Sequence, residues 1–242
     1  MSDKVPKPLG VLPLGDAAAY IEFSDSLDLE VNDAVQRLAA AVHARARPWI
    51  RDVVPALGGL ALHFDIEHEA LPEAPLQAAA LLVDECLKQG LPDTAAVGRA
   101  LEVPICYDPE LALDLEELAA RLKVAPDEVA RRHAAAEYRV LMMGFSPGLP
   151  YLGGLDPSLA VPRRATPRAT VPAGSVGIAN LQAVVYPYAI PGGWTIVGRT
   201  PLTVFDARRA PPSLFAPGDR VRFKPVARAE FERLREAERS AS

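Results

Sequence analysis

The stretch "VPRRATPRATVPAGSVGIAN", residues 161–180, sets prolines at 162, 167 and 172 and carries Arg163, Arg164 and Arg168 between them. Proline fixes its own φ and keeps the preceding residue extended, so these arginines are presented from a stiff backbone. A guanidinium offers five N–H donors in a rigid fork, a geometry that suits a carboxylate, a phosphate or a carboxylated intermediate. The plainer alternative is a set of solvated arginines that guard a sheet edge. Successive strand residues point to opposite sides, so Arg163 and Arg164 cannot both enter one site.

Two other stretches combine proline, glycine and aromatic residues: "GFSPGLPYLGGLDP", residues 144–157, and "YPYAIPGGW", residues 186–194. Nine of the sixteen glycines fall between Gly144 and Gly198, which concentrates the special chemistry there. Phe145, Pro147, Gly148 and Tyr151 read as a loop after a strand, stiffened by proline to hold aromatic walls and thinned by glycine so that backbone donors reach a ligand. Tyr186, Gly192, Gly193 and Trp194 repeat that combination. For each aromatic, filling a core is the competing reading. His133 is either a proton donor or binding group, or a helix C-terminal histidine favoured by the dipole.

Other signals are weaker. His63 and His68 fall on opposite faces by alternation and read as surface histidines rather than metal ligands. Ser175 lacks the G-x-S-x-G elbow and any assignable Asp or His partner, so a turn or cap is expected. "GSVG" falls short of a phosphate loop. No catalytic residue and no metal site can be named.

The elements that must position these residues follow from periodicity. "LGVLPLG" and "AAAYIEFS" read as strands, and residues 29–47 as a helix with Asp28 as N-cap and Pro48 beyond its end. "WIRDVVPAL" and "GLALHFD" form strands about Gly58 and Gly59, residues 75–89 a second helix, and "RALEVPICYD" a final strand. That order predicts a ferredoxin-like domain over residues 1–100. Beyond Tyr107, Asp114 and Glu117 form a capping-box pattern over "DLEELAARL", and Pro126 opens "PDEVARRHAAAEY", giving a helical hairpin. The short runs "YRVLMMGF", "VGIAN", "AVVYPYA", "WTIVGR", "LTVFDA" and "DRVRFKPV" then predict a small antiparallel barrel within residues 101–242, followed by a solvated helix. The fold class is therefore α+β.

The 242 residues carry a net charge of −5, which argues against nucleic acid as the main partner. No apolar run approaches a membrane span, and the start "MSDKVPKPLG" has no signal-peptide core, so a cytoplasmic location is expected. Cys86 and Cys106 lack metal spacing and read as buried thiols of a reducing compartment, with a disulfide as the alternative.

The strings "EYRVLMMGFSPGLPYLGGLDP", "PRRATPRATVPAGSVGIA", Gln182, "YP" at 186, "PGGW", "GRTPL" and "PGDRVRF", in this order between about Val103 and Pro225, resemble the allophanate hydrolase subunit 1 family, which includes the B subunit of bacterial 5-oxoprolinase and KipI-like inhibitors of a sporulation histidine kinase. The resemblance implies a ferredoxin-like domain followed by a cyclophilin-like β-barrel. It implies an allophanate hydrolase subunit 2-type partner and a LamB/YcsF-type partner, and ATP with magnesium used in the complex to activate 5-oxo-L-proline for hydrolysis to glutamate. Arg164 and Gln182 join His133 and the loop residues named above as expected substrate-binding positions, and an enzyme role predicts that substitutions at Tyr151, Arg168, Gln182 and Trp194 impair function. The chain departs from the family pattern "GxQTGIYP" with "NLQAVVYP", placing Asn180, Ala183 and Val184 there, and has Leu149 where Phe is common. Three functions stand side by side: an enzyme subunit, a histidine kinase inhibitor, and a structural subunit whose site is inactive.

Overall fold

The structure is a computed structural model that describes residues 7–93 and 98–241. The chain divides into two compact units, Met1–Gly98 and Arg99–Ser242.

In the first unit, β1 (Gly10–Pro13), β2 (Ala18–Glu22), β3 (Ile50–Pro55) and β4 (Gly59–Phe64) form an antiparallel sheet in the order β1-β2-β4-β3. Helices α1 (Leu29–Ala44) and α2 (Pro75–Gln89) pack on it. Asp28 caps α1 by accepting the N–H groups of Glu30 and Val31, and Pro75 opens α2 at a position whose N–H needs no partner. Val35, Leu38, Val42, Leu82 and Val83 bury one stripe of each helix against Ile21, Leu60 and Leu62.

The strand expected to complete this sheet does not join it. β5 (Ala100–Ile105) belongs to the second unit, where it runs parallel to β13 (Arg220–Pro225). The place beside β2 goes to β1, which a tight turn through Gly15 returns onto its neighbour with little loop to close.

The second unit adds α3 (Leu115–Leu122), α4 (Pro126–Ala135), β6 (Glu137–Met143), β7 (Pro150–Gly153), β8 (Arg168–Val171), β9 (Ser175–Ala179), β10 (Gln182–Val185), β11 (Ile190–Gly192), β12 (Thr195–Arg199) and α5 (Arg228–Ala241). Seven strands form one curled sheet, β12-β9-β10-β7-β6-β13-β5, and β8 pairs with β11. The sheet's two outermost strands meet through one bridge: Cys106 and Arg199 exchange N–H···O bonds of 2.9 and 3.0 Å.

Two expectations change here. "PYLG", read as loop, is β7, in the middle of the sheet, because Pro150 occupies the first strand position, where the missing donor costs little. "LTVFDA" forms no strand and contributes only an isolated bridge between Phe205 and Ser213.

Alternation along the sheet builds two cores. Val176, Ile178, Ala183, Val185, Val197, Val140 and Leu152 face the main core, which α3 and α4 cover. Val184, Tyr151 and Ile196 project from the other face, where Leu149, Val171, Tyr186 and Trp194 join them.

Candidate functional site

The second face is where the glycine- and proline-rich stretches converge. Tyr151 from β7 and Trp194 just before β12 lie with ring centroids 6.1 Å apart and planes tilted by 60°. Tyr186 is buried beside them. Burial pushes that phenol up to about 12, so it stays protonated near neutral pH. Gly192 is required at this point: a Cβ there would lie 2.2 Å from the Tyr186 Oη. Gly193 uses its carbonyl instead, accepting the Arg164 N–H at 2.8 Å. Arg163 sets its guanidinium 5.3 Å from the Trp194 ring centroid, a cation–π distance.

The other two arginines turn inward. Asp114, 2% exposed, receives Arg164 Nη1 on Oδ1 at 2.9 Å and Arg168 Nη1 on Oδ2 at 2.9 Å, with Arg168 Nη2 on Oδ1 at 2.5 Å. Its Oδ2 also accepts the Ile196 N–H at 2.7 Å, while its own N–H donates to the Ile196 carbonyl at 2.9 Å. Asp114 therefore makes no side-chain cap on α3, contrary to the capping-box expectation. A buried carboxylate needs cations and donors more than the helix end needs a cap. The two forks expected to await a substrate are engaged on this carboxylate, and they fix the proline-punctuated segment beside the aromatic face. Hydrogen bonding to Asp114 raises the Arg168 pKa further, so its charge is permanent.

His133 lies elsewhere. It is fully buried in α4 between Tyr138 and Phe223, with Nδ1 2.7 Å from the Tyr107 hydroxyl. Burial alone lowers its pKa to about 3, so it is a neutral core residue and is removed from the substrate-binding set. The dipole argument fails because the ring points into the core instead of towards solvent at the helix end.

The loop between β6 and β7 forms one edge of the aromatic face. Leu149 packs within the face, and Gly148 lies against the Phe205 side chain. Phe145 is 72% exposed with φ +66°, and the neighbouring Pro147 is exposed. A bulky residue held in the left-handed region of φ, with its ring in solvent, is a strained arrangement that folding alone does not favour. Ser146, which sequence patterns did not mark, buries its Oγ without a partner. Gln182 shares its side of β10 with Val184 and pairs across to Gly153, and its Nε2 is buried without a partner. Buried side-chain polar atoms without a partner are uncommon, and His133 Nε2 in the core is another.

Among the described residues, no group of three or more His, Cys, Asp or Glu could hold a metal ion, and no helix is long and apolar enough to cross a membrane. Cys86 and Cys106 are both free, buried thiols. The gathered side chains can stack on, orient and hydrogen-bond a small planar polar molecule.

The family described as carboxyltransferase domain, subdomain C and D, matches residues 9–215. The chain is similar to the B subunit of 5-oxoprolinase from Bacillus subtilis (strain 168), at 37% identity over 228 residues, which is 92% of this chain and 95% of that one. Among solved structures it is similar to TTHA0988, with 36% identity and a TM-score of 0.74 over 87% of this chain, and spans only 40% of that longer chain. It is also similar to PH0987 of Pyrococcus horikoshii, with 36% identity and a TM-score of 0.54 over 91% of this chain and 99% of that one.

Proposed function

This chain belongs to the family of allophanate hydrolase subunit 1 and the 5-oxoprolinase B subunit, and from that membership we propose that it is the B subunit of an ATP-dependent 5-oxoprolinase that cleaves 5-oxo-L-proline to L-glutamate. The aromatic face of Tyr151, Tyr186 and Trp194 holds the flat lactam ring, with Gln182 supplying an amide donor. The observation that carries this reading is the convergence of Tyr151, Tyr186 and Trp194 on one face of the sheet, with the buried amide of Gln182 on the same side of β10 as Val184. An allophanate hydrolase subunit 2-type protein and a LamB/YcsF-type protein are the proposed partners, and the barrel is read as cyclophilin-like. ATP with magnesium is assigned in this reading to the complex as a whole, with no site for it named on this chain.

Phe145 supports a second reading, in which the exposed loop docks a protein and the chain regulates a histidine kinase. A related allophanate or urea-type amide substrate is the third. Co-expression with the two proposed partners, followed by an assay of ATP-dependent glutamate release from 5-oxo-L-proline, separates them. Turnover that falls at least tenfold in Trp194→Ala supports the first reading. A stable, inactive complex overturns it, and loss of kinase autophosphorylation on adding the isolated chain supports the second.

A further inference from the structure

At the end of β12 away from Trp194, a cavity of about 210 Å³ opens between the Ala173–Gly174 turn, residues 199–203 and α5. Its wall contains Arg199, Arg235 and Arg239, together with Thr200, Leu202 and Phe231. Arg199 and Thr200 come from "GRTPL", a motif to which the aromatic face gives no role.

Arg199 is the unusual member. Its Nε donates to the Ala173 carbonyl at 2.7 Å, and among the described residues no carboxylate pairs with it. Burial lowers its pKa, Arg235, Arg228 and Arg239 lower it further, and Glu232 opposes them. The neighbouring carboxylates are engaged with other groups. Glu232 stands 3.7 Å from Arg235, Glu236 stands 4.0 Å from Arg239, and Glu238, on the cavity wall, accepts the Thr203 N–H at 2.9 Å. Thr200 Oγ1 accepts the Leu202 N–H at 3.3 Å and keeps its hydroxyl proton for another acceptor. A desolvated guanidinium facing other cations is unfavourable unless an anion joins it. The wall carries three guanidinium groups and one carboxylate; Glu232 and Glu236 offset Arg235 and Arg239 from outside it, which leaves Arg199 as the guanidinium that an anion would complete.

We propose that this cavity binds a phosphate-type dianion, with the half-buried Arg199 as the anchor and Arg235, Arg239 and Thr200 as the groups that surround it. A phosphate offers several acceptor oxygens to donors arriving from different directions, which suits three separate guanidinium groups better than one planar carboxylate does. The apolar side chains of Leu202 and Phe231 leave space for a small organic substituent. The inference stands independently of the proposed 5-oxoprolinase activity.

The test is calorimetric titration of the full chain with inorganic phosphate, and with malonate as a carboxylate dianion, at matched ionic strength. One phosphate per chain with a millimolar or tighter dissociation constant is expected, weakened roughly tenfold or more in Arg199→Gln and in Arg235→Gln. Should Arg199→Gln fail to fold, Arg235→Gln on α5 carries the test. In that variant phosphate should no longer raise the melting temperature as it does in the parent chain. No saturable heat, equal binding of malonate, or phosphate binding unchanged in Arg235→Gln overturns the proposal.

Discussion

Arg168 closes a two-point fork on Asp114, Nη1 to Oδ2 at 2.9 Å and Nη2 to Oδ1 at 2.5 Å, and thereby ties β8 to the residue that precedes α3. Replacing Asp114 by Asn leaves Arg168 without its carboxylate, while Arg164 keeps Glu117 Oε2 at 3.2 Å, and should cost about 3 kcal/mol, the low end of the range for removing one partner of a buried pair. Urea unfolding of the purified chain measures it. A loss below about 1 kcal/mol would place the pair among exposed, weakly coupled ones.

His133 makes stability depend on pH in a defined direction. Its folded-state pKa, about 3, lies below the value of about 6.5 for an unfolded chain. As pH falls the unfolded chain takes the proton first. The stability from the neutral ring is therefore complete above about pH 6.5 and declines from there towards pH 3, by up to ~1.4 kcal/mol per pH unit. His133→Phe should remove this slope while costing about 1–3 kcal/mol at every pH, because the Tyr107 hydroxyl loses its partner. Urea unfolding of both proteins at about pH 7 and about pH 5 gives the comparison; parallel declines would contradict it.

Gly192 and Gly193 are adjacent yet should respond differently to an added methyl group. At Gly192 the Cβ meets the Tyr186 Oη at 2.2 Å, whereas at Gly193 the nearest atom is Pro167 Cγ at 3.6 Å. Gly192→Ala should displace the Tyr186 ring and destabilise by about 1–3 kcal/mol, while Gly193→Ala stays within about 0.5 kcal/mol. Thermal unfolding, with Trp194 fluorescence reporting on the aromatic face, checks both.

Phe145 should show a trade between stability and association. At φ +66° an L side chain is strained by roughly 1–2 kcal/mol, so Phe145→Gly should stabilise the chain by up to about 1 kcal/mol after the entropy of glycine is subtracted. The same substitution removes the exposed ring, so affinity for the proposed subunit 2-type partner should fall. If stability rises and affinity is unchanged, the ring has no docking role.

Periodicity made much of this fold legible. Helix α2 over Pro75–Gln89, the Asp28 cap and the strands flanking Gly59 follow from local rules that tertiary contacts do not override. β7 was hidden because proline and glycine disfavour a strand on average, and only the tertiary pairing shows that Pro150 and Gly153 sit where a missing N–H or side chain is tolerated. The fate of β5 was hidden for a related reason: its sequence suits a strand in either unit, and its partner β13 lies over a hundred residues away. Within the site, Tyr151, Tyr186 and Trp194 were legible from their glycine-rich surroundings. Asp114 was not, since a carboxylate ahead of a helix looks like a cap until the arginines that claim it are seen. The burial of His133 likewise depends on Phe223, remote in sequence.

The grip of Asp114 on Ile196 has a consequence for solubility. Its N–H and Oδ2 engage the carbonyl and N–H of one residue, as a neighbouring strand would, and Cys106 does the same for Arg199 three residues on. Between them they occupy the outward hydrogen-bonding groups of β12 at both ends, so another chain finds no continuous ladder to extend there. A side chain that steadies the aromatic face from one side also keeps the sheet from serving as a template for aggregation.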